Sequence, residues 1–288
     1  MLSGIETQIV NLKDGHQFRE VQAFLGRFGL TFDQGVEYTL TFLRDGRIIG
    51  TGSFTGEVLH NIAVDQAMQG QGLVSAIVSE LIQELARRGR FHYFIFTKPC
   101  LSRVFEKLGF VEIACAEPYV SLLETGIGSV SVYCDQIEKR MAYLEGERAA
   151  VVLNENFLAE GNRIVEQASE EHDAVIVFVS DGLRLAREKY AYLNNVMVFS
   201  ADKYTVSSEV FPTYFIRRED QLISRTRLDA MLFATQIAPR LDIKTRYVAD
   251  PTCSVTSAYN QAMQEILPVY GIDVRIIKPA EQNLISIG

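Results

Sequence analysis

The chain has 288 residues, of which 48% are hydrophobic and 22% charged. This composition is typical of a globular protein with a sizeable core, and the length favours two domains. The formal net charge of −8 excludes a general nucleic-acid binder, which needs a basic face, but leaves room for a local basic pocket that binds a nucleotide. No apolar run approaches the roughly 20 residues that a membrane-spanning helix needs.

The cysteines and histidines form no pattern of a metal site or a disulfide framework. The 4 cysteines are far apart without a C-x-x-C pair, and the 4 histidines are equally scattered. This scatter shows no metal-ligand spacing, so we expect no direct metal ligands. The first residues do not read as a signal peptide, so we expect free thiols and a cytoplasmic location.

The first half mixes helix and strand patterns in the manner of an α+β domain. Apolar residues at helical spacing predict a helix over residues 17–28. Two strands over 36–43 and 48–54 are joined by a hairpin turn at 44–47. The next predicted elements are a strand, a helix, a strand and a short helix, at residues 58–64, 76–88, 91–97 and 102–107.

A loop with two glycines precedes the predicted helix at 76–88, and it consists of Gln69, Gly70, Gln71, Gly72, Leu73 and Val74. The order of elements, this loop and the stretch FEKLGF at 105–110 resemble the GNAT acetyltransferase fold. In that family the loop pattern is Arg/Gln-x-x-Gly-x-Gly/Ala, and its N–H groups hold the pyrophosphate of acetyl-coenzyme A at a helix N-terminus. Val74 departs from this pattern, and we expect its β-branched side chain to narrow the approach to the phosphates.

The second half alternates short apolar strands with amphipathic helices. The predicted strands lie at 149–153, 174–179, 196–200, 245–249 and 273–277, and the predicted helices at 163–168, 183–193, 228–237 and 257–267. This alternation implies a doubly wound parallel sheet, with ligands at the carboxyl ends of its strands. We therefore predict an α/β protein with a GNAT-like domain at 1–126, a linking helix at 127–146 and a Rossmann-like domain at 147–288.

The turn after the strand at 149–153 carries Asn154, Asn156 and Phe157. A strand, a polar turn and a helix begin many nucleotide sites, because the helix N-terminus offers free N–H groups to phosphate. No glycine-rich phosphate fingerprint is present, so this stretch alone favours an ordinary connection. The two asparagines are equally typical of a turn without a ligand.

Three longer stretches resemble the citrate (pro-3S)-lyase ligase family. Residues 207–215, SSEVFPTYF, match its phrase S-x-x-x-F-P-x-Y-F, and residues 229–239 match D-x-x-x-F-x-x-x-I/L-A-P. Residues 250–263 match E-P-x-C-x-V-T-x-x-Y-N-Q-x-M, except that Asp250 replaces glutamate. That family joins a GNAT-like module to a nucleotidyltransferase-type domain, so the resemblance covers nearly the whole chain.

The resemblance implies an ATP-dependent, AMP-forming acid–thiol ligase. Acetate would attack the α-phosphate of ATP, giving acetyl-adenylate and pyrophosphate. The thiol of the phosphoribosyl-dephospho-coenzyme A group on the citrate lyase acyl carrier subunit would then take the acetyl group. Mg²⁺ would neutralise the phosphates, and the protein would mainly position the reactants and stabilise charge. No nucleic-acid or membrane partner is implied.

The residues that we expect at the nucleotide site follow the ends of predicted strands or stand near the end of the chain: Asn154, Asn156, Phe157, Asp250, Tyr259, Asn260 and Ser286. The loop at 69–74 would bind the phosphates of the coenzyme-A-like arm. Tyr214 and Phe215 either line the nucleotide pocket or fill the core, and the arginines at 217, 218, 225 and 227 form either a solvated face or a docking site for the acidic carrier. The catalytic residues and the residue that contacts acetate stay unassigned.

The match to the family breaks at three loops. The family motif N-x-N-P-F-T-x-G-H fits Asn154, Asn156 and Phe157 only with one position dropped, and its histidine is missing. A basic and aromatic loop expected after Val179 is absent, and a motif near I-S-x-S-x-V-R is cut short at 285–288. Either the chain has diverged, or its sequence lacks residues of mobile substrate loops, which we favour because the core strands are intact. An intact mass well above 32.4 kDa would show the second.

A competing interpretation assigns the chemistry to the first domain. That domain would be an N-acetyltransferase or a non-catalytic coenzyme-A-binding module, and the second domain would be degenerate. Acetyl transfer from acetyl-coenzyme A to an amine distinguishes this interpretation from the ligase.

Overall fold

The computed structural model describes residues 4–33, 35–153, 161–201, 203–206, 211–251 and 253–278. These residues form two compact units with one sheet each. The first unit contains the described residues up to 129 together with 211–228, and the second contains 130–206 and those from 229 onward. Residues 211–228 thus belong with the first unit, although the sequence-based limits give them to the second domain. The limits of the linking helix stay a prediction.

The first unit is built on a seven-stranded sheet in the order β1-β2-β3-β4-β5-β7-β6. Its strands are β1 Glu6–Ile9, β2 Tyr38–Arg44, β3 Arg47–Thr55, β4 Val58–Val64, β5 His92–Thr97, β6 Val111–Ala116 and β7 Val120–Gly126. Its helices are α1 Gly15–Gly26, α2 Leu73–Arg87 and α3 Ser102–Glu106. Neighbouring strands are antiparallel except for β4 and β5, which are parallel.

The predicted hairpin is present between β2 and β3. Asp45 and Gly46 have φ angles of 51° and 71°, as a two-residue turn of type I′ requires. This turn matches the right-handed twist of the two strands, so the Asp-Gly pair sets their connection.

Two glycines on β3 let α2 pack closely on the sheet. A Cβ atom on Gly52 would lie 2.5 Å from Ile77 Cγ2 and 3.0 Å from Leu81 Cδ1. One on Gly50 would lie 2.9 Å from Ile77 Cδ1. The buried side of α2 therefore needs glycine opposite it, and the core of this unit forms at that contact.

The second unit is built on a five-stranded parallel sheet in the order β10-β9-β8-β11-β12. Its strands are β8 Arg148–Leu153, β9 Ala174–Val179, β10 Val196–Ser200, β11 Ile243–Ala249 and β12 Asp273–Ile277. The helices of this half of the chain are α4 Val130–Met141, α5 Gly161–Glu171, α6 Leu183–Lys189, α7 Gln221–Leu232, α8 Ala238–Arg240 and α9 Ser254–Ile266. In the described residues, shorter 3₁₀ turns lie at Gln66–Met68, Pro99–Leu101, Arg218–Asp220 and Leu267–Tyr270.

The helix predicted at 228–237 differs from the observed one. Helix α7 begins at Gln221 and ends at Leu232, and a π-helical segment, Phe233–Ile237, continues it into α8. The parallel sheet itself confirms the predicted α/β fold class.

Candidate functional site

The strand order of the second unit defines a topological switch point. From β8 the chain moves outward to β9 and β10 and then returns to β11 on the other side of β8. Ligands of doubly wound sheets bind at the carboxyl ends of the strands where the order reverses. The candidate nucleotide site is therefore the edge formed by Leu153 at the end of β8 and Ala249 at the end of β11.

Helix α5 begins at this edge with a glycine that allows close packing. A Cβ atom on Gly161 would lie 3.0 Å from Leu153 Cδ2 and 3.2 Å from the Tyr190 hydroxyl oxygen. The first N–H groups of an 11-residue helix have no partner within the helix and favour phosphate. The start of α5 therefore lies where an α/β nucleotide site needs it.

The Tyr190 hydroxyl beside Gly161 is a buried donor without a partner in the described part of the chain. Tyr190 is 1% exposed, and its hydroxyl has no hydrogen-bond partner among the described residues. Burial raises the pKa of Tyr190 to about 12, so the hydroxyl keeps its proton at neutral pH. Buried hydroxyls normally have a partner, and an oxygen of a bound phosphate would supply one here.

Four of the predicted nucleotide residues, Asn154, Asn156, Phe157 and Ser286, lie outside the described residues, and their role stays a prediction. Asp250 is half-buried immediately after β11, and its N–H donates to the Ile277 carbonyl at 3.0 Å. Within the described ranges no side chain binds its carboxylate.

Asn260 and Tyr259 use their polar groups inside the protein. Asn260 is 6% exposed, and its Nδ2 donates to the Ala249 carbonyl at 2.7 Å, which ties α9 to the end of β11. The Tyr259 hydroxyl donates to Asp229 Oδ2. Both residues thus have a structural role at the candidate site, and direct contact with a nucleotide stays a prediction.

A buried arginine, which the sequence analysis missed, lies behind this edge. Arg246 on β11 is 2% exposed, and its guanidinium carbon lies 4.3 Å from the centroid of the Phe233 ring. Its Nη2 lies 3.5 Å from the Tyr259 hydroxyl, while its Nε has no partner among the described residues. Asp229 Oδ1 accepts the Val206 N–H at 2.8 Å, so both oxygens of this acid are occupied.

A cavity adjoins this cluster, and Arg246 and Asp229 form part of its wall. The apolar wall includes Val152, Phe178 and Ile237. Val152 and Phe178 are one residue from the carboxyl ends of β8 and β9, so the cavity lies just below the candidate nucleotide edge. Asp229, Phe233 and Ile237 belong to the motif at 229–239, and Tyr259 belongs to the motif at 250–263. The two motifs are the signal in the sequence that these residues act together.

The loop of the first unit has the predicted form. Gly70 and Gly72 have φ angles of 74° and 81°, and α2 begins at Leu73 without a side-chain cap. Gln69, Gly70, Gln71 and Gly72 are exposed, and the N-terminus of the 15-residue helix faces solvent at this point. Position 72 requires glycine because of its positive φ angle. A lack of room for a side chain is not the reason, since a Cβ atom on Gly72 would have nothing within 4 Å.

Val74 stands on the first turn of α2. Its side chain is half-buried and packs against the core of the first unit. The expectation that it narrows the approach to the phosphates stays a prediction.

A gap opens between the parallel strands β4 and β5. They pair only through Val58–Phe94 and Leu59–Ile95 and then diverge toward their carboxyl ends. Strand β4 leads toward the loop at 69–74, so a ligand held at that loop and reaching into the sheet would enter this gap.

Side chains from residues 211–216 fill this gap. The buried Tyr214 ring lies with its centroid 6.4 Å from the His60 ring on β4, and its hydroxyl donates to the Phe96 carbonyl on β5 at 3.4 Å. Phe211 packs edge-on against Phe96 at a centroid distance of 5.9 Å. Tyr214 thus contacts both diverging strands. Of the two roles that the sequence left open for it, lining the nucleotide pocket or filling the core, it has the second.

Asp33 fastens this segment to the first unit. Its Oδ1 accepts hydrogen bonds from the N–H and the hydroxyl of Thr213 at 2.9 and 2.6 Å. Its Oδ2 lies 3.3 Å from His60 Nδ1, and the Thr31 N–H donates to the Tyr214 carbonyl at 2.9 Å. Residues 211–216 are therefore held in the gap by specific hydrogen bonds and form an integral part of the first unit.

The described residues contain no group of three or more His, Cys, Asp or Glu side chains placed to hold a metal ion. In the same part of the chain, no helix combines the length and apolar character needed to cross a membrane. None of the cysteines at positions 100, 115, 134 and 253, all of which are described, forms a disulfide bond.

Comparison with known proteins assigns both halves of the chain. The citrate lyase ligase C-terminal domain matches residues 148–288, and the acetyltransferase (GNAT) domain matches residues 15–121. The citrate (pro-3S)-lyase ligase of Klebsiella pneumoniae is 30% identical over 274 residues, covering 90% of this chain and 80% of the relative. This chain belongs to the citrate lyase ligase family. The family's enzyme from Haemophilus influenzae is also 30% identical, with 84% of this chain and 76% of the relative covered.

Family membership confirms the resemblance found in the motifs, including the GNAT-like first domain. Among solved structures, a putative acyl-CoA N-acyltransferase from Klebsiella pneumoniae covers 43% of this chain and 98% of its own at 15% identity and a TM-score of 0.35. The ribosomal-protein-S18-alanine N-acetyltransferase from Escherichia coli covers 43% and 96% at 18% identity, with the same TM-score of 0.35.

Proposed function

We propose that this chain is an AMP-forming ligase that acetylates the prosthetic-group thiol on the acyl carrier subunit of citrate lyase, by way of acetyl-adenylate. Similarity to three citrate lyase ligases, at 27% to 30% identity over most of the chain, is the observation that carries the proposal. The switch point at the ends of β8 and β11 supports it, because adenylation needs a site for ATP.

ATP would place its phosphates at the start of α5. The N–H groups of this helix and the Tyr190 hydroxyl would bind phosphate oxygens. Asn154, Asn156, Phe157 and Ser286 are proposed to complete the nucleotide site, while Asn260 and Tyr259 would hold α9 and Arg246 in place. The protein would supply orientation and hydrogen bonds to the phosphates.

Mg²⁺ fits this site as a companion of the phosphates. Mg²⁺ is usually held by substrate phosphates, water and one or two carboxylates rather than by a cage of protein ligands. The Asp250 carboxylate, which directly follows β11, would serve as one such ligand. The ion would neutralise charge on the phosphates.

The loop at 69–74 would bind the pyrophosphate of the carrier's coenzyme-A-like arm. Its exposed glycines and the start of α2 suit phosphate whatever thiol is attached. Beyond the loop, Phe211 and Tyr214 contact β4 and β5, so an acyl group entering between these strands would compete with them for space. This supports recognition of the arm over acetyl transfer by the first unit.

Acetate-dependent release of pyrophosphate from ATP and Mg²⁺ tests the proposal. We expect release with acetate, and acetylation of the carrier thiol when the carrier is added. The absence of binding heat and of a thermal shift at millimolar ATP would contradict the ligase. Acetyl transfer from acetyl-coenzyme A to an amine would favour an acetyltransferase instead.

A further inference from the structure

We infer that the cavity beside Arg246 binds the carboxylate substrate, with the Arg246 guanidinium holding the carboxylate and the apolar wall enclosing a short alkyl group. The assignment of this substrate as acetate rests on the proposed function. The site itself rests on the burial, hydrogen bonding and wall of the cavity in the second unit.

The first argument is the unused donor. A buried guanidinium normally has all its N–H groups bonded, because leaving one without a partner costs free energy. Arg246 lies against Phe233 and donates to Tyr259 through Nη2, yet its Nε has no partner among the described residues. A ligand that accepts a hydrogen bond would satisfy this group.

The second argument is charge. Asp229 also borders the cavity, but its oxygens accept hydrogen bonds from the Val206 N–H and the Tyr259 hydroxyl. Burial raises the pKa of Tyr259, so its hydroxyl stays protonated and keeps donating to Asp229. The acid is thus held by protein donors, whereas Arg246 in the same cavity wall carries a cationic N–H that has no partner among the described residues.

The third argument is the shape and chemistry of the wall. Val152, Phe178 and Ile237 supply apolar surface that suits a methyl group. Asp229, which also borders the cavity, would repel a second carboxylate on the ligand, so a monocarboxylate suits this wall better than a dicarboxylate. Val152 is one residue before the carboxyl end of β8, so the cavity adjoins the strand end at which the nucleotide site is proposed.

Arg246→Lys tests the anion contact, because lysine keeps the charge but lacks the fork of N–H groups. We expect the KM for acetate to rise by roughly tenfold or more, as for loss of a hydrogen bond to a charged group, with the KM for ATP unchanged. A melting curve and a circular dichroism spectrum show whether the variant is folded.

Ile237→Val tests the apolar wall. The lost methyl group makes room for one more carbon on the ligand, so the ratio of kcat/KM for propionate over acetate should rise by roughly tenfold. The matched control is Ile243→Val, the same change at a buried position on the amino end of β11, where the ratio should not move. Thermal melting with acetate, compared with chloride, provides a readout that needs no turnover.

The outcomes separate the site from the proposed function. An unchanged KM for acetate in Arg246→Lys, or an unchanged ratio of kcat/KM for propionate over acetate in Ile237→Val, would overturn the site. Acetate-dependent pyrophosphate release by the same variants would still support the ligase. If the wild type releases no pyrophosphate with any carboxylate, the proposed function fails and the melting experiment alone decides. Stabilisation by acetate that Arg246→Lys abolishes would then support the site, and its absence would overturn it.

Discussion

At the scale of single residues, Tyr190 should affect ATP binding without affecting stability, because its hydroxyl has no hydrogen-bond partner among the described residues. Tyr190→Phe removes no hydrogen bond within the described part of the protein, so we expect the free energy of unfolding to change by less than about 0.5 kcal/mol. A lost hydrogen bond to phosphate should weaken ATP binding by roughly 1.5–3 kcal/mol. Calorimetric titration with ATP and chemical denaturation measure the two quantities.

Tyr247→Phe is the matched control for that change. The Tyr247 hydroxyl is used, because it donates to Glu171 at 2.7 Å and lies 3.1 Å from His172 Nε2. This variant should lose stability and keep its affinity for ATP. Equal ATP affinity in the wild type and in Tyr190→Phe would remove Tyr190 from the nucleotide site.

Asn260 and Asp250 are expected to respond differently to truncation. Asn260→Ala leaves the Ala249 carbonyl without its donor and should cost about 1–3 kcal/mol of stability. Asp250→Ala should leave the melting temperature near that of the wild type and weaken adenylation, since its carboxylate has no side-chain partner within the described ranges. Pyrophosphate release beside a melting curve measures both effects. Normal release in Asp250→Ala would exclude a role for this carboxylate.

The sequence could indicate some of these residues but not their contacts. Asp250, Tyr259 and Asn260 were found because they stand in one motif after a strand. Arg246 was missed because a charged residue within a strand predicts no particular partner. Its partners come from α9 and from the segment Phe233–Ile237, which only the tertiary fold brings together.

At the scale of elements, apolar runs bounded by turns were located well. The strands at 58–64, 174–179, 196–200 and 273–277 have the predicted limits. The clearest of them is 174–179, because full burial on both faces makes it a continuous apolar segment. Strand β1 was missed because all its residues are exposed and leave no buried pattern. The start of α7 was missed because Ser224 and Thr226 face the interior and bond their hydroxyls to helix carbonyls.

The packing of α2 on β3 gives a test at this scale. Gly52→Ala would place a Cβ atom against Ile77 and Leu81, and we expect a loss of about 1–3 kcal/mol of stability from overpacking. Gly26→Ala is the control at the end of α1, where a Cβ atom would have nothing within 4 Å. Denaturant unfolding compares them, and equal stability of the two variants would contradict the close contact.

At the scale of the whole molecule, a motif in the second half of the chain completes the first unit. Thr213 and Asp33 bond although 180 positions separate them in sequence. Local patterns placed the F-P-x-Y-F motif after a strand of the second domain, and no periodicity could show where its side chains pack. The fold classes of both halves were therefore predictable from the sequence, whereas the filling of the gap between β4 and β5 was not.

The loop at 69–74 is proposed to bind the carrier's arm, and the second unit is proposed to make acetyl-adenylate. Gly72→Asp should therefore impair only the transfer of the acetyl group to the carrier. The new carboxylate at the start of α2 would repel the pyrophosphate of the carrier's arm, while the acetate and ATP sites of the second unit keep their residues. We expect acetylation of the carrier thiol to be lost and acetate-dependent pyrophosphate release to persist.

The control for this variant is Gly89→Asp, just beyond the other end of α2. Gly89 has a φ of 78° against 81° for Gly72, and a Cβ atom on either residue would have nothing within 4 Å. The two substitutions therefore carry the same backbone strain and the same added charge. If both variants acetylate the carrier equally, the loop at 69–74 does not recognise the arm; if only Gly72→Asp fails, the defect belongs to phosphate recognition, because strain and charge alone would have affected both.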